Sequence, residues 1–221
     1  MILRIASFDI GIKNFAIYVE DFDASQLVKI GNVSDIPQNE NKRDMQNIRD
    51  ICLNGKRIYL HNYNLDNDGK EINNEMWYRN MIKILVSLDK IWKCTKIFII
   101  EHQVIFNRVQ IQLLAQVCYT FFLTRFYGEN RAVLYYNNKN KTKFLACPND
   151  VDIKKWSPRI AISSLKNRGD IEGAKIIEDA SKKDDLGDAF CQAQSIKYRF
   201  LTKKGIFTKR RSTIKKHKKK H

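Results

Sequence analysis

Hydrophobic and polar positions change rhythm several times along the chain, and each change marks an element. Residues 2 to 8 form a mostly apolar run, and Phe15-Ala-Ile-Tyr-Val at 15 to 19 forms another after a turn containing Gly11. Both read as strands. Leu27 to Val33 suits a third, and three strands joined this closely predict an antiparallel meander. From Ser34 to Glu75 the chain turns polar and rich in Asn and Asp, with a turn signal at Asp68-Gly69. An irregular insertion over about 38 to 75 is predicted there.

Met76 to Trp92 places its apolar residues three to four apart, as one face of a helix requires, and leads into the strand-like Lys96-Ile-Phe-Ile-Ile ending at Glu101. Val109 to Phe126 is apolar at helical spacing and predicts a core helix. Arg131 to Tyr136 suits a strand, Asn137 to Lys143 a polar basic loop, and Pro148 to Pro158 an irregular stretch. Two helices, at 159–167 and 171–181, precede the segment that begins at Asp184. The order is α/β, with a parallel portion following an antiparallel meander. It predicts a ribonuclease H-like mixed five-stranded sheet flanked by helices.

Composition narrows the picture. With 221 residues, 43% of them hydrophobic, the chain can build one substantial core, so one domain over 1–200 is expected. The net charge of +16 is uneven: residues 189 to 221 hold twelve Lys or Arg and no acid, leaving 28 basic against 24 acidic residues before them. Residues 201–221 are predicted to be a disordered basic arm that strengthens binding to a polyanion without reading sequence. A nuclear localisation signal is the competing reading of that run. Five cysteines without C-x-x-C spacing argue against a disulfide framework or zinc knuckle and for a reducing, intracellular compartment. No apolar run approaches the roughly 20 residues of a membrane span.

Four carboxylates then stand out. Asp9 follows the first strand, Glu101 interrupts the apolar run of a central strand, and Asp185 and Asp188 lie three apart at the start of the last helix. That spacing puts the latter pair on one helix face, about 4.5 Å apart along the axis. Each has a plainer account: Asp9 suits turn chemistry beside Gly11, and Asp184 or Asp185 suits a helix cap. Glu101 is harder to dismiss, because a charge on a buried strand needs compensation. Should the four converge, divalent cations would relieve their repulsion, and all-oxygen ligands select Mg²⁺ or Mn²⁺ over zinc. His102, next to Glu101, would point to the opposite face of the strand.

Three segments together, Ser7-Phe-Asp9-Ile-Gly11-Ile-Lys-Asn14-Phe-Ala16, Ile99-Ile-Glu101-His-Gln103 and Lys182-Lys-Asp-Asp185-Leu-Gly-Asp188-Ala, resemble the RuvC-like Holliday junction resolvases, particularly the poxvirus-type branch of large DNA viruses. The resemblance implies that Asp9, Glu101, Asp185 and Asp188 are catalytic acids binding two Mg²⁺ ions, Mn²⁺ substituting, with Asp184 competing for the third place. It also implies a catalytic lysine upstream of the final acids. Lys155 has about the right separation, with Lys143, Lys154 and Arg159 as rivals. The implied activity is paired cleavage of four-way DNA junctions by a homodimer, leaving 5′-phosphate ends, at a viral replication site in host cytoplasm or in the nucleus. The apolar 109–126 helix could supply the dimer interface.

Lys139, Lys141 and Lys143, behind Tyr135 and Tyr136, form a basic stretch suited to tracking phosphates or stacking on an opened base, and Lys154 and Arg159 extend the DNA-binding set. Two other function classes compete. One is a nucleic-acid-binding protein of the same fold with structural acids. The other is an actin-like phosphotransferase, suggested by Phe8-Asp-Ile-Gly but poorly matched by a chain with 9 glycines and no second phosphate loop.

Overall fold

In the computed structural model, residues 1–27, 40–66, 74–102 and 109–201 are described. Five strands form one mixed sheet in the order β3-β2-β1-β4-β5: β1 (Ile2–Asp9), β2 (Phe15–Asp23), β3 (Lys56–Tyr63), β4 (Thr95–His102) and β5 (Ala132–Asn137). β1, β2 and β3 pair antiparallel, whereas β4 lies parallel to β1 and β5 parallel to β4. The predicted ribonuclease H-like sheet is therefore the observed one.

Helices cover both faces, so the central strands are mostly apolar, with Ser7, Glu20 and Glu101 as buried polar exceptions. One face packs against α2 (Asn74–Ser87), α3 (Asp89–Cys94) and α4 (Val109–Arg125), where Phe8, Phe98, Trp92 and Phe122 form an aromatic cluster. The other carries α1 (Glu40–Leu53), α6 (Ile153–Asn167), α7 (Ile171–Asp179) and α8 (Lys183–Leu201), with Trp156, Leu165, Ile177 and Phe190 in its core. Between β5 and α6, a short helix α5 (Lys139–Phe144) packs against α8.

Several local expectations need correction. The third strand is Lys56–Tyr63, inside the stretch read as an irregular insertion; residues 28–33 of the expected strand lie outside the described residues, as does the arm from 202. β3 is an edge strand, where polar and charged positions are tolerated, so its sequence lacks the apolar signature of the centre. Residues 139–144 are helical rather than a loop. The helix expected over 76–92 is two, divided at Leu88. Finally, α6 begins at Ile153 and runs through Pro158, because Asp152 caps it by accepting a hydrogen bond from the Lys154 amide.

A buried polar network fixes α8 against the sheet. Glu20 on β2 accepts hydrogen bonds from Lys197 Nζ and Arg168 Nη1, both at 2.7 Å, and from Tyr18 Oη at 2.6 Å. Burial alone would raise the Glu20 carboxyl; the two cations outweigh it and hold it down at about 2. At its other end α8 meets α6 backbone to backbone, since a Cβ on Gly187 would lie 2.5 Å from the Pro158 nitrogen. Anchored at both ends, α8 delivers its first turn to the C-terminal edge of β1 and β4.

Candidate active site

Alternation along the strands sends Ser7 and Asp9 on β1, and Glu101 on β4, toward α8, while Ala6 and Phe8 join the opposite core. In register, Phe8 pairs with Ile100, so Asp9 and Glu101 sit at adjacent strand ends. On α8, Asp185, Asp188 and Gln192 occupy one stripe at i, i+3 and i+7. Gln192 ties the two layers together: its Nε2 donates to Glu101 Oε2 at 3.0 Å, and its Oε1 accepts from Ser7 Oγ at 3.1 Å.

The electrostatics show how closely the acids gather. Asp9 is pushed well above the usual carboxylate range, first by burial, then by the charge of Glu101 and a hydrogen bond shared with it, and by Asp188. Asp185 is pushed up to about 6, first by burial and then by its neighbours Asp184 and Asp188. Into this cluster α5 inserts Lys141, whose side chain is buried and ion-paired with Asp188. Burial would lower its ammonium pKa, but Asp188, Glu101 and Asp9 together raise it.

Glu101, Lys141 and Asp188 line a cavity of about 530 Å³, with His102, Lys139 and Lys154 at its wall. All four predicted acids thus come together. The expected catalytic lysine does not: Lys155 is exposed on α6 and lines a separate groove with Arg159 and Asp184. The lysine among the acids is Lys141, which sequence reading had placed in a DNA-binding loop. Lys143 borders a third recess beside Cys147 and Pro148. Tyr136 is core, bonded to Ser195, while Tyr135 stacks on Tyr119 and meets His102 edge-on across the sheet from Glu101.

The donors fit hard divalent cations in kind, being all carboxylate oxygen. Asp185 Oδ2 and Asp188 Oδ1 are buried and accept no hydrogen bond, which leaves both lone-pair sets open to a cation. As the side chains stand, no group of three His, Cys, Asp or Glu among the described residues closes around a single point. The Lys141 ammonium, paired with Asp188 and near Glu101 and Asp9, offsets part of the repulsion among them.

Two roles escaped sequence reading. Ser7 and Gln192 carry no chemical signature of their own, although Ser7 two before Asp9 and Gln192 four after Asp188 follow from strand and helix periodicity. Lys141 had no such signal, because its partners come from other elements.

The sheet order and the helices on both faces define a ribonuclease H-like architecture. Among solved structures, the chain is similar to the yeast mitochondrial Holliday junction resolvase Ydc2, at 14% identity and a TM-score of 0.58 over 90% of this chain and 81% of that one. Thermus thermophilus RuvC matches at 12% identity and a TM-score of 0.54, covering 90% of this chain and 96% of that one. Fowlpox virus resolvase, solved with substrate Holliday junction DNA, matches at 18% identity and a TM-score of 0.52 over 90% and 99%. Among curated proteins, the uncharacterized protein 97L of Invertebrate iridescent virus 3 is 27% identical over 213 residues, 86% of this chain and 98% of that protein. No protein-family model matches the chain. No helix among the described residues is long and apolar enough to cross a membrane.

Proposed function

We propose that this chain is a metal-dependent endonuclease that resolves four-way DNA junctions by paired phosphodiester hydrolysis. The observation that carries the reading is the meeting of Asp9, Glu101, Asp185 and Asp188 with Lys141 at the sheet edge of this fold. Asp9, Glu101, Asp185 and Asp188 would hold two Mg²⁺ or Mn²⁺ ions, which supply an activated water and stabilise the leaving oxygen. Gln192 keeps the Glu101 carboxylate aimed at the cavity. Lys141, once freed from Asp188, places its ammonium where negative charge grows on the phosphate oxygens. Hydrolysis in this arrangement leaves 5′-phosphate ends.

Paired cuts at a symmetric junction call for two copies of the site, and a homodimer provides them. Helix α4 leaves Val109, Leu113 and Leu123 exposed on the face away from its own sheet, a surface suited to such an association. The viral relative supports a role in processing viral genome concatemers or recombination intermediates. Cleavage of synthetic four-way junctions with Mg²⁺ or Mn²⁺ is the direct test. Asp188→Asn should bind junctions and leave them uncut, whereas wild-type protein that cuts no junction, flap or fork refutes the proposal.

A further inference from the structure

Beside the acid cavity lies a larger groove of about 940 Å³, and Lys154 lines both. One wall of the groove is the face of α6 that carries Lys154, Lys155, Arg159 and Lys166; the other is the approach to α8, with Lys182 and Lys183. Pro158 and Ile162 give it an apolar floor. From Lys154 to Lys166 the α6 face spans about 18 Å at 1.5 Å per residue.

Two acids, Asp152 and Asp184, also border the groove, against six cations that line it. Asp152 caps α6, while Asp184 lies beside Asp185, where its negative charge adds to that of the acid cluster. Lys166 pairs with Glu178 at 2.6 Å. The other five cations form no salt bridge with an acid among the described residues. Unpaired like charges crowded along one cleft repel one another, and a ligand with regularly spaced negative charge relieves that repulsion.

We infer that this groove is the track for the cut strand: the phosphodiester backbone leaving the scissile position passes Lys154 and lies along α6, its phosphates facing Lys155, Arg159, Lys182 and Lys183. The strand is identified by continuity, because Lys154 borders both the acid cavity and the groove. Lys155 and Arg159 lie one turn apart on α6, about 6 Å along the axis, and side chains that contact phosphates in this way carry no base information. The groove therefore positions the strand without setting a cleavage sequence. This inference rests on the nuclease reading of the acid site.

The test compares two triple variants of the full chain, each in an Asp188→Asn background, binding a four-way junction across a salt series. One removes groove charges (Lys155→Ser, Arg159→Ser, Lys183→Ser). The other removes the same charge from exposed positions elsewhere (Lys83→Ser, Lys90→Ser, Lys175→Ser). Three lost phosphate contacts should make the slope of log K against log salt shallower by about 2.7 in the groove variant, with the control variant matching its parent. Neutral methylphosphonate linkages beside the cut, in the cut strand, should weaken the parent and leave the groove variant unchanged. Equal slopes in the two triples, or equal sensitivity to the neutral linkages, overturn the groove assignment. Wild-type cleavage run in parallel separates the levels: a protein that cuts while its groove variant keeps the parent slope loses the groove alone, and one that never cuts loses the nuclease reading and the groove's occupant with it.

Discussion

Lys141 and Asp188 form a buried ion pair between α5 and α8, and the same ammonium lies within the field of Glu101 and Asp9. An ammonium so placed has two consequences: it limits repulsion in the absence of metal, and it lies next to where a phosphate would react. Replacing it with Met should slow junction cleavage by about 10²–10³, the cost of removing one preorganised charge at a reacting phosphate, while junction binding persists. Single-turnover cleavage and gel-shift assays measure the two separately. Unchanged cleavage by Lys141→Met would remove Lys141 from the chemistry.

Gln192 is the link between Glu101 and Ser7, and its amide is the one group that fixes the Glu101 carboxylate from α8. Gln192→Leu keeps the packing volume and deletes both hydrogen bonds. Loss of a partner that orients a metal ligand typically costs 10–100-fold in metal affinity, so the Mg²⁺ needed for half-maximal cleavage should rise by about that factor. Near-normal cleavage at saturating Mg²⁺ would mark Gln192 as a positioning residue; a rate that stays low at every Mg²⁺ concentration contradicts that role.

At Gly187 the first turn of α8 rests on the α6 backbone, with Pro158 Cα 2.7 Å from the place a Cβ would take. Gly187→Ala must separate the helices, and overpacking of this kind costs about 1–3 kcal/mol. The same displacement carries Asp185 and Asp188 away from Asp9 and Glu101. Urea unfolding should show the loss of stability, and cleavage should fall further than stability alone explains. A variant as stable and active as wild type would mean that the contact is slack.

How much of this was legible in the chain depends on where each partner lies. Asp9 and Glu101 could be read because strand ends in an α/β order put acids at a common edge, and Asp185 with Asp188 because helical spacing aligns them. Lys141 could not, since Asn137 to Lys143 is uniformly polar and a buried lysine there makes sense only once α8 supplies its acid. β3 was missed for a related reason: Arg57 and His61 look like loop residues until Arg57 meets Asp170 across the fold. Pro158 misled in the opposite direction, marking a break where an upstream cap had already started the helix.

The acid site gives a pH dependence of definite sign. Asp185 is raised from 3.8 to about 6, so in the folded protein it holds its proton more tightly than in the unfolded chain. Its stabilising contribution is full below about pH 4 and is lost as pH rises through about 6, when a further negative charge enters the cluster. Glu20, lowered from 4.5 to about 2, contributes oppositely, losing its stabilisation only as pH falls below about 4.5. Between pH 5 and 7 the Asp185 effect therefore acts alone of the two. Metal-free protein should show a falling Tm across that window, and Mg²⁺ should raise Tm at pH 7 more than at pH 5. A Tm shift with Mg²⁺ that is the same at both values would disconnect Asp185 from metal binding.

Removing one member of the buried network on the other half of α8 should act on the fold before it acts on chemistry. Glu20→Gln leaves Lys197 and Arg168 facing each other in the core without the carboxylate that both contact. An uncompensated buried charge of this kind costs about 3–5 kcal/mol. Because α8 then loses its anchor to β2, the acids at its start should become less well aligned, and cleavage at low temperature should fall along with the unfolding midpoint. Double substitution of Glu20→Leu with Lys197→Met, which removes the carboxylate and one ammonium together, should recover part of the stability, leaving Arg168 to retain its contact with the Cys52 carbonyl. Equal instability of the single and double variants, measured by urea denaturation, would show that the pair's charges are not what holds the helix in place.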